Sequence, residues 1–216
     1  MATKIRVLIA DDHAVLRDGL KVLLESGGDI QVVGMAANGR EAVSEAVRLR
    51  PDVAILDLTM PELNGIDAAR HILRRHPEVQ VLILSMYHSP EHVHRALAAG
   101  ARGYVLKESA GTEVVDAVRS VHSGQRFFSP RITDVVIDAY VRSGHVDSPL
   151  ERLSGREREV LQLTVEGRSS AEIAERLSLS RKTVETYRGR VMEKLGVRDM
   201  VALIRFAIEH GLTPPA

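Results

Sequence analysis

The chain has 216 residues, 44% of them hydrophobic and 27% charged, which suits one large domain or two ordinary ones with packed cores. It contains no cysteine, so disulfides, zinc–thiolate sites and thiol catalysis are excluded. Lys plus Arg and Asp plus Glu number 29 each, so nucleic-acid binding depends on where the charges lie and not on their sum. No apolar run reaches membrane-spanning length and the amino terminus turns acidic too early for a signal peptide, so we expect a cytoplasmic protein without membrane association.

Residues 1–122 alternate between short β-rich runs and helical patterns. The β-rich runs are Ile5–Ala10, Ile30–Ala36, Val53–Leu56, Val79–Leu84 and Gly103–Leu106. The helical patterns are Ala14–Glu25, Arg40–Leu49, Gly65–Arg75, Glu91–Ala99 and Thr112–His122. Five strands alternating with five helices predict an α/β domain with a five-stranded, doubly wound parallel sheet, which helices cover on both faces.

The rest of the chain divides into a linker and a helical region. Residues 123–148 carry a weaker pattern interrupted by Gly and Pro, which predicts a linker with one short helix at Arg131–Val141. Residues 149–216 predict a small all-α domain. Its four helices are expected at Gly155–Glu166, Ser170–Leu177, Ser180–Leu195 and Asp199–His210.

Polar side chains follow four strands of the predicted sheet. In chain order they are Asp11 and Asp12, Asp57, Ser85 and Lys107. Because the carboxyl ends of parallel strands meet at one edge of a sheet, we expect these groups to converge. Crowded carboxylates need a cation, and oxygen ligands that keep several waters suit Mg²⁺. With Lys107 and Ser85 binding phosphoryl oxygens, Asp57 is placed to act as a nucleophile and to become an aspartyl phosphate.

Each of these residues also has an ordinary structural interpretation. An aspartate at a strand end commonly caps a helix or a turn, and a single lysine is usually solvated. Four matched positions at four different strand ends favour the functional interpretation.

Three histidines near the fourth helix have a spacing that invites a metal site. They are His88, His92 and His94. Because no carboxylate at matching spacing completes a chelate, we predict that they lie at the surface of the fourth helix and its leading loop.

Residues 4–122 resemble the receiver domains of two-component response regulators. The resemblance rests on the acidic pair and on the segments "LDLTMPELNG", "LILSM" and "GYVLKE". It implies a flavodoxin-like fold with Asp57 as the phosphoacceptor. It also implies Mg²⁺ bound by Asp11, Asp12, Asp57 and the backbone carbonyl of Thr59.

The same resemblance implies a switch beside the phosphoacceptor. Ser85 would move toward the phosphoryl group that Lys107 binds, and Tyr104 would change rotamer with it. A half-exposed strand aromatic is the alternative interpretation of Tyr104. Receivers commonly have proline after the pocket lysine, whereas Glu108 follows here, so we expect the Lys107–Glu108 peptide bond to be trans or strained.

The carboxyl-terminal segment predicts a helix-turn-helix, because two short helices are joined by a tight turn and the second is richer in basic residues. On the second helix, Val184, Val191 and Leu195 form an inward stripe at helical spacing. Basic side chains on the opposite face suit phosphates, Glu185 suits a cytosine amino group and Thr186 a thymine methyl. A solvated helical face is the alternative.

Over about residues 150–212 the segment resembles the LuxR-type helix-turn-helix. This implies that Ser180–Leu195 reads the major groove and that Asp199–His210 is a dimer surface. Tyr187 stands where histidine is frequent in this family. The predicted DNA-binding residues are Ser180, Arg181, Lys182, Thr183, Glu185, Thr186, Tyr187, Arg188 and Arg190.

The two resemblances together are those of the NarL/FixJ class of response regulators. They predict a transcription factor, not an enzyme, that a sensor histidine kinase phosphorylates on Asp57 and that then binds double-stranded promoter DNA as a homodimer. One rival is a phosphohydrolase of the haloacid dehalogenase type. Such enzymes place a second aspartate two residues after the nucleophile, where this chain has Thr59. A second rival is a receiver that serves only as a phosphorylation-independent dimerisation module.

Overall fold

The computed structural model describes residues 4–134 and 148–213. The strands are β1 (Ile5–Ala10), β2 (Ile30–Ala36), β3 (Val53–Asp57), β4 (Gln80–Ser85), β5 (Gly103–Leu106) and β6 (Phe127–Phe128). The helices of the first domain are α1 (Ala14–Glu25), α2 (Gly39–Leu49), α3 (Gly65–Arg75), α4 (Pro90–Ala98) and α5 (Ala110–His122). Each strand and helix predicted for this domain is present, with small shifts at some ends.

All strands pair in parallel, in the order β2-β1-β3-β4-β5-β6. The chain moves outward from β1 to β2 and then crosses back to β3 on the other side of β1. The strand order therefore reverses between β1 and β3, a topological switch point, and the connections that follow these two strands lead to opposite sides. The crevice between those connections, beyond the carboxyl ends of the strands, is where open α/β sheets bind their ligands. Asp11 follows β1 and Asp57 ends β3, so both lie at the switch point.

The sheet has one more strand than predicted. Phe127–Phe128 pairs with Gly103 and Tyr104 of β5, although these residues were assigned to the linker. A two-residue strand is too short to show an alternation of apolar and polar side chains, and its pairing depends on the free edge that β5 offers.

The sheet packs on both faces, as the buried alternation along β1 illustrates. Val7 and Ile9 pack with side chains of α1 and α5 in one apolar cluster. Leu8 and Ala10 point to the opposite face and pack with α2, α3 and α4 in another. Successive residues of a strand face opposite sides, so a strand buried on both faces is apolar throughout.

Within residues 148–213 the second domain contains four α-helices, α6 (Gly155–Val165), α7 (Ser170–Leu177), α8 (Arg181–Leu195) and α9 (Met200–Glu209), preceded by a 3-10 turn at Pro149–Arg152. Ser154 and Ser169 begin α6 and α7 with capping boxes, in which a serine hydroxyl and a glutamate satisfy backbone N–H groups reciprocally. Apolar side chains of the four helices form two small cores. The predicted four-helix domain is therefore present.

Residues 130–134 are helical, and the rest of the predicted Arg131–Val141 helix lies outside the described residues. The limits 1–122, 123–148 and 149–216 stay a prediction, with β6 falling inside the predicted linker. Within residues 4–134 and 148–213, no helix combines the length and the apolar character that crossing a membrane requires.

The two domains contact each other through polar groups. Arg158 Nε of α6 donates to Asp67 Oδ1 of α3 at 2.8 Å. Arg95 Nη1 of α4 donates to the carbonyl of His210, just after α9, at 2.8 Å. Among the described residues, no apolar cluster combines side chains from both domains. Hydrogen bonds and ion pairs are therefore prominent in the interface, beside the packing of His92 and Leu58 against Gly211.

Candidate functional site

The groups predicted to converge at the sheet edge do so. Strands β1, β3, β4 and β5 are neighbours in that order, so the residues that end or follow them lie side by side. Lys107 Nζ lies 2.7 Å from Asp11 Oδ2 and 2.9 Å from Asp57 Oδ2. Both aspartates are buried, whereas Asp12 is exposed at the rim. Two buried carboxylates thus share one ammonium group, with the carboxylate of Asp12 close by.

The excess of negative charge in the pocket shifts the pKa values of Asp57 and Lys107. Burial raises the pKa of Asp57 to about 7, the nearby carboxylate of Asp11 adds to the rise, and Lys107 partly offsets it. Burial opposes the charge on Lys107, but Asp57 and Asp11 outweigh it and raise the pKa of the ammonium group. The pocket therefore lacks positive charge, and a further cation would relieve its cost.

The residues fit a divalent cation. Ligand atoms of Asp11, Asp12, His13 and Asp57 all lie within 4.8 Å of one another. The Oδ2 atoms of Asp11 and Asp57 are buried, and among the described residues the Lys107 ammonium is the one group that compensates them. Carboxylate oxygens are the ligands that Mg²⁺ prefers. Thr59 lies beside the cluster, with its N–H donating to Asp57 Oδ1 at 3.4 Å.

His13 belongs to this cluster and was not predicted. Its Nδ1 lies 3.1 Å from Asp11 Oδ1 and 2.8 Å from Asp12 Oδ1, and its side chain is largely exposed. Its position directly after the acidic pair is the signal that would have found it.

Ser85 and Tyr104 lie next to the pocket. Ser85 is buried at the end of β4, and its Oγ accepts from the N–H of Tyr87 at 2.9 Å. The Tyr104 hydroxyl donates to the carbonyl of Tyr87 at 2.7 Å, and only 1% of the residue is exposed. The alternative of a half-exposed strand aromatic is therefore wrong, because the side chain points into the core between β5 and α4.

Two further expectations concern the neighbourhood of the pocket. The described chain contains no cis peptide bond, so the Lys107–Glu108 bond is trans, which is one of the two predicted outcomes. The surface assignment holds for His88 but is wrong for His92, which is 2% exposed. The His92 ring stacks on Tyr87, with centroids 4.9 Å apart, and lies against Gly211 of the second domain. Burial lowers the pKa of His92 to about 4.

The predicted DNA-reading helix has the expected two faces. The Ser180 side chain caps α8 by accepting from the N–H of Thr183 at 3.1 Å. Val184 and Val191 are buried, as predicted. Of the predicted DNA-binding residues within the helix, the exposed ones are Arg181, Lys182, Glu185, Thr186 and Arg190, and the half-buried ones are Thr183, Tyr187 and Arg188.

Glu185 is already engaged within the domain. Its carboxylate accepts from the Ser170 hydroxyl of α7 and lies 3.5 Å from Arg188 Nη1. Part of its acceptor capacity therefore holds the two helices of the motif together. Among the described residues, the interdomain contacts come from residues 148–151, α6, α7 and the segment after α9, so the receiver leaves the face of α8 open.

The comparisons with known proteins agree with this geometry. Residues 7–119 match the model of the response regulator receiver domain, and residues 151–207 match that of the bacterial regulatory proteins of the luxR family. The response regulator GacA of Pseudomonas viridiflava is 38% identical over 96% of this chain and 97% of its own. The transcriptional regulatory protein MctR of Rhizobium johnstonii is 37% identical over 97% of this chain and 95% of its own.

The solved structures similar to this chain include RcsB of Salmonella enterica serovar Typhimurium, bound to promoter rprA in the presence of the phosphomimetic BeF3−. It has a TM-score of 0.65 and 28% identity, covering 94% of this chain and 98% of that one. Together with the assembled acidic pocket and the helix-turn-helix, these matches show that the chain belongs to the two-component response regulators that regulate transcription through a LuxR-type DNA-binding domain.

Proposed function

We propose that the receiver is switched by phosphorylation of Asp57, with a sensor histidine kinase as the donor. The observation that carries the proposal is the pairing of two buried carboxylates, Asp57 and Asp11, with Lys107 at 2.9 and 2.7 Å. An Asp57 oxygen attacks the phosphorus of a phosphohistidine, the new O–P bond replaces the N–P bond, and the imidazole leaves with the electron pair.

The neighbouring residues bind and orient the phosphoryl group. Lys107 already lies at the carboxylate that carries it, and the Ser85 hydroxyl lies at the end of the adjacent strand. Asp11, Asp12, Asp57 and the carbonyl of Thr59 would hold Mg²⁺. That ion would screen the charge developing on the phosphoryl oxygens and orient them.

The second domain binds double-stranded promoter DNA through α8, with its exposed cations on phosphates and Thr186 at base edges. Met200, Val201 and Ile204 of α9 are exposed apolar side chains, which supports the role of this helix as a dimer surface. A homodimer formed after phosphorylation would bind two half-sites.

Helix α4 would transmit the effect of phosphorylation from the pocket to the DNA-binding domain. The phosphoryl group would draw Ser85 and Lys107 inward, and Tyr104 would repack against α4 and β5. Because α4 carries Arg95 and His92, which contact the segment after α9, this repacking would shift the second domain toward dimerisation or release.

The experiment is a DNA-binding titration with and without a small-molecule phosphodonor and Mg²⁺. The proteins are wild type, Asp57→Asn and Asp116→Asn, an exposed carboxylate on α5 that serves as the control. We expect the phosphodonor to tighten binding for wild type and the control only. Equal binding by all three in every condition would contradict the switch and favour a phosphorylation-independent module. Rapid, repeated release of inorganic phosphate by wild type would favour the phosphohydrolase.

A further inference from the structure

The loop between β3 and α3 links the phosphoacceptor to the second domain. It begins directly after Asp57 and includes Thr59, the residue whose carbonyl is proposed as an Mg²⁺ ligand. The loop turns sharply, since Glu62 has a φ of 69° and the N–H of Gly65 donates back to the carbonyl of Leu58 at 2.9 Å. A left-handed conformation at a non-glycine residue has an energetic cost and persists where surrounding contacts hold it.

Those contacts come from the other domain: Arg176 of α7 pairs with the Glu62 side chain at 2.8 Å, and α6 with its end pairs with the backbone of the loop. Gln162 Nε2 donates to the carbonyl of Met60 at 2.8 Å, and Gln162 Oε1 accepts from the backbone N–H of Asn64 at 2.8 Å. Oε1 also accepts from the Asn64 side chain at 3.1 Å. Glu166 accepts from the backbone N–H of Glu62 at 2.8 Å. Three backbone groups of one loop are thus paired with two side chains of the DNA-binding domain.

Gln162 is the centre of this support. It is fully buried, and its amide pairs with the loop as donor and as acceptor. Removal of a buried partner leaves the groups that it paired without their hydrogen bonds, which has a larger cost than the mean value of one hydrogen bond. The loop atoms that it holds belong to Met60 and Asn64, on either side of the bend at Glu62.

We infer that Gln162 is a positioning residue of the Asp57 site, through which the DNA-binding domain holds the loop that carries Thr59 and so increases the affinity of the acidic cluster for Mg²⁺. The inference rests on the proposed function, because it requires that the Asp57 site bind the ion. A ligand that is fixed before binding loses less conformational entropy when the ion arrives.

The direction of the effect follows from the arrangement in the structure. While Gln162 holds the loop, the ligand atoms of Asp11, Asp12 and Asp57 already lie within 4.8 Å of one another. Convergence of the cluster and the support of the loop by Gln162 thus occur together in this arrangement. Linkage makes the effect reciprocal, so Mg²⁺ in turn favours contact between Gln162 and the loop.

The test is a calorimetric titration of Mg²⁺ into metal-stripped, full-length wild type, Gln162→Met and Glu159→Gln. Methionine fills the volume of glutamine without pairing with the loop. Glu159 is the matched control, because it lies on the same helix and pairs across the interface with Arg40 at 3.2 Å and His71 at 3.4 Å, neither of which belongs to the loop. We expect a roughly tenfold weaker Mg²⁺ affinity for Gln162→Met, at the lower end of what loss of an outer-shell partner of a metal ligand costs, and little change for the control.

Hydrogen exchange of residues 58–64 gives a second readout, and we expect it to accelerate in Gln162→Met only. Asn64→Ser is the second variant if the methionine variant folds poorly. It keeps a residue that caps α3 and removes the side-chain bonds to Gln162 and Asp67 but not the backbone bond to Gln162, so we expect a smaller loss of affinity. Unchanged or tighter Mg²⁺ binding by Gln162→Met would overturn the inference, as would an equal loss in Glu159→Gln, which would assign the effect to docking in general.

The two proposals fail in different ways. If wild type binds Mg²⁺ and the phosphodonor labels it at Asp57, the proposed function stands whatever the Gln162 variant does. If wild type itself does not bind Mg²⁺, the metal site is wrong and the role of Gln162 falls with it.

Discussion

Asp57 ends β3 and Asp67 lies in the first turn of α3, on either side of the same loop. Both are buried, but their surroundings shift their pKa values in opposite directions. Asp57 shares one ammonium group with Asp11, and burial together with the nearby carboxylates raises its pKa to about 7. Burial also opposes ionisation of Asp67, but Arg158 at 2.8 Å and Arg70 at 3.0 Å outweigh it and lower its pKa. A buried acid with excess positive charge around it is structural, whereas one with excess negative charge marks a site that awaits a cation.

The largest change in the free energy of unfolding is expected from substitution of Asp67. Asp67→Asn leaves Arg158 and Arg70 facing a neutral group, and breaking a buried pair in this way costs about 3 kcal/mol or more. Urea unfolding should therefore show a lower free energy of unfolding for the variant. Asp116→Asn, which removes an exposed carboxylate, is the control and should change stability little. A variant as stable as wild type would show that the Asp67 cluster is not a structural ion pair.

Substitution of Asp57, unlike that of Asp67, is expected to raise the free energy of unfolding when divalent ions are absent. Its pKa rises from an ordinary 3.8 to about 7 on folding, so the folded protein binds the proton more tightly than the unfolded chain. The stability that this group contributes is present below pH 4 and is lost as the pH rises to about 7. Asp57→Asn removes that loss of stability, and part of the gain is offset because Lys107 loses a partner. We therefore expect the variant to be more stable than wild type by about 2 kcal/mol at pH 8.

The measurement is the free energy of unfolding of wild type minus that of Asp57→Asn, from pH 4 to pH 8 in chelator. A difference that does not change with pH would show that Asp57 is ionised throughout and that Lys107 fully compensates it.

Mg²⁺ should stabilise the folded protein by supplying the positive charge that the Asp57 pocket lacks, which makes this pocket more like the compensated Asp67 cluster. At a tenfold excess over its Kd, an ion that binds only the folded state stabilises it by about 1.4 kcal/mol. We expect this gain in the melting curve of wild type, a much smaller gain for Asp57→Asn, and removal of the gain by chelator. Equal stabilisation of both proteins would place the ion elsewhere.

The smallest effect is expected at the edge of the pocket. Tyr104→Phe removes the hydrogen bond to the carbonyl of Tyr87 and should cost about 1 kcal/mol in urea unfolding. Tyr87→Phe is the matched control, because it keeps the accepting carbonyl and the ring that stacks on His92. A larger loss in the control than in Tyr104→Phe would contradict the assignment of this hydrogen bond.

Much of the fold and of the candidate site could be predicted from the sequence. The five main strands and the helices follow from periodicity, which is a local property of the chain. The convergence of Asp11, Asp57 and Lys107 follows from the rule that parallel strands end at one edge, and both ion pairs with the lysine bear it out. The roles of these residues in phosphorylation and of α8 in DNA binding stay predictions.

What only the tertiary structure decided is which residues of the two domains become neighbours. Phe127–Phe128 joins the sheet because β5 has a free edge, and His92 is buried because Gly211 covers it. In the sequence, Gln162 is one polar residue of a helical pattern, and nothing near it indicates its partners Met60 and Asn64, which lie about a hundred positions earlier. Periodicity reports which face of a helix is buried but not what it is buried against, because that choice depends on contacts between segments that the pattern of either segment alone does not contain.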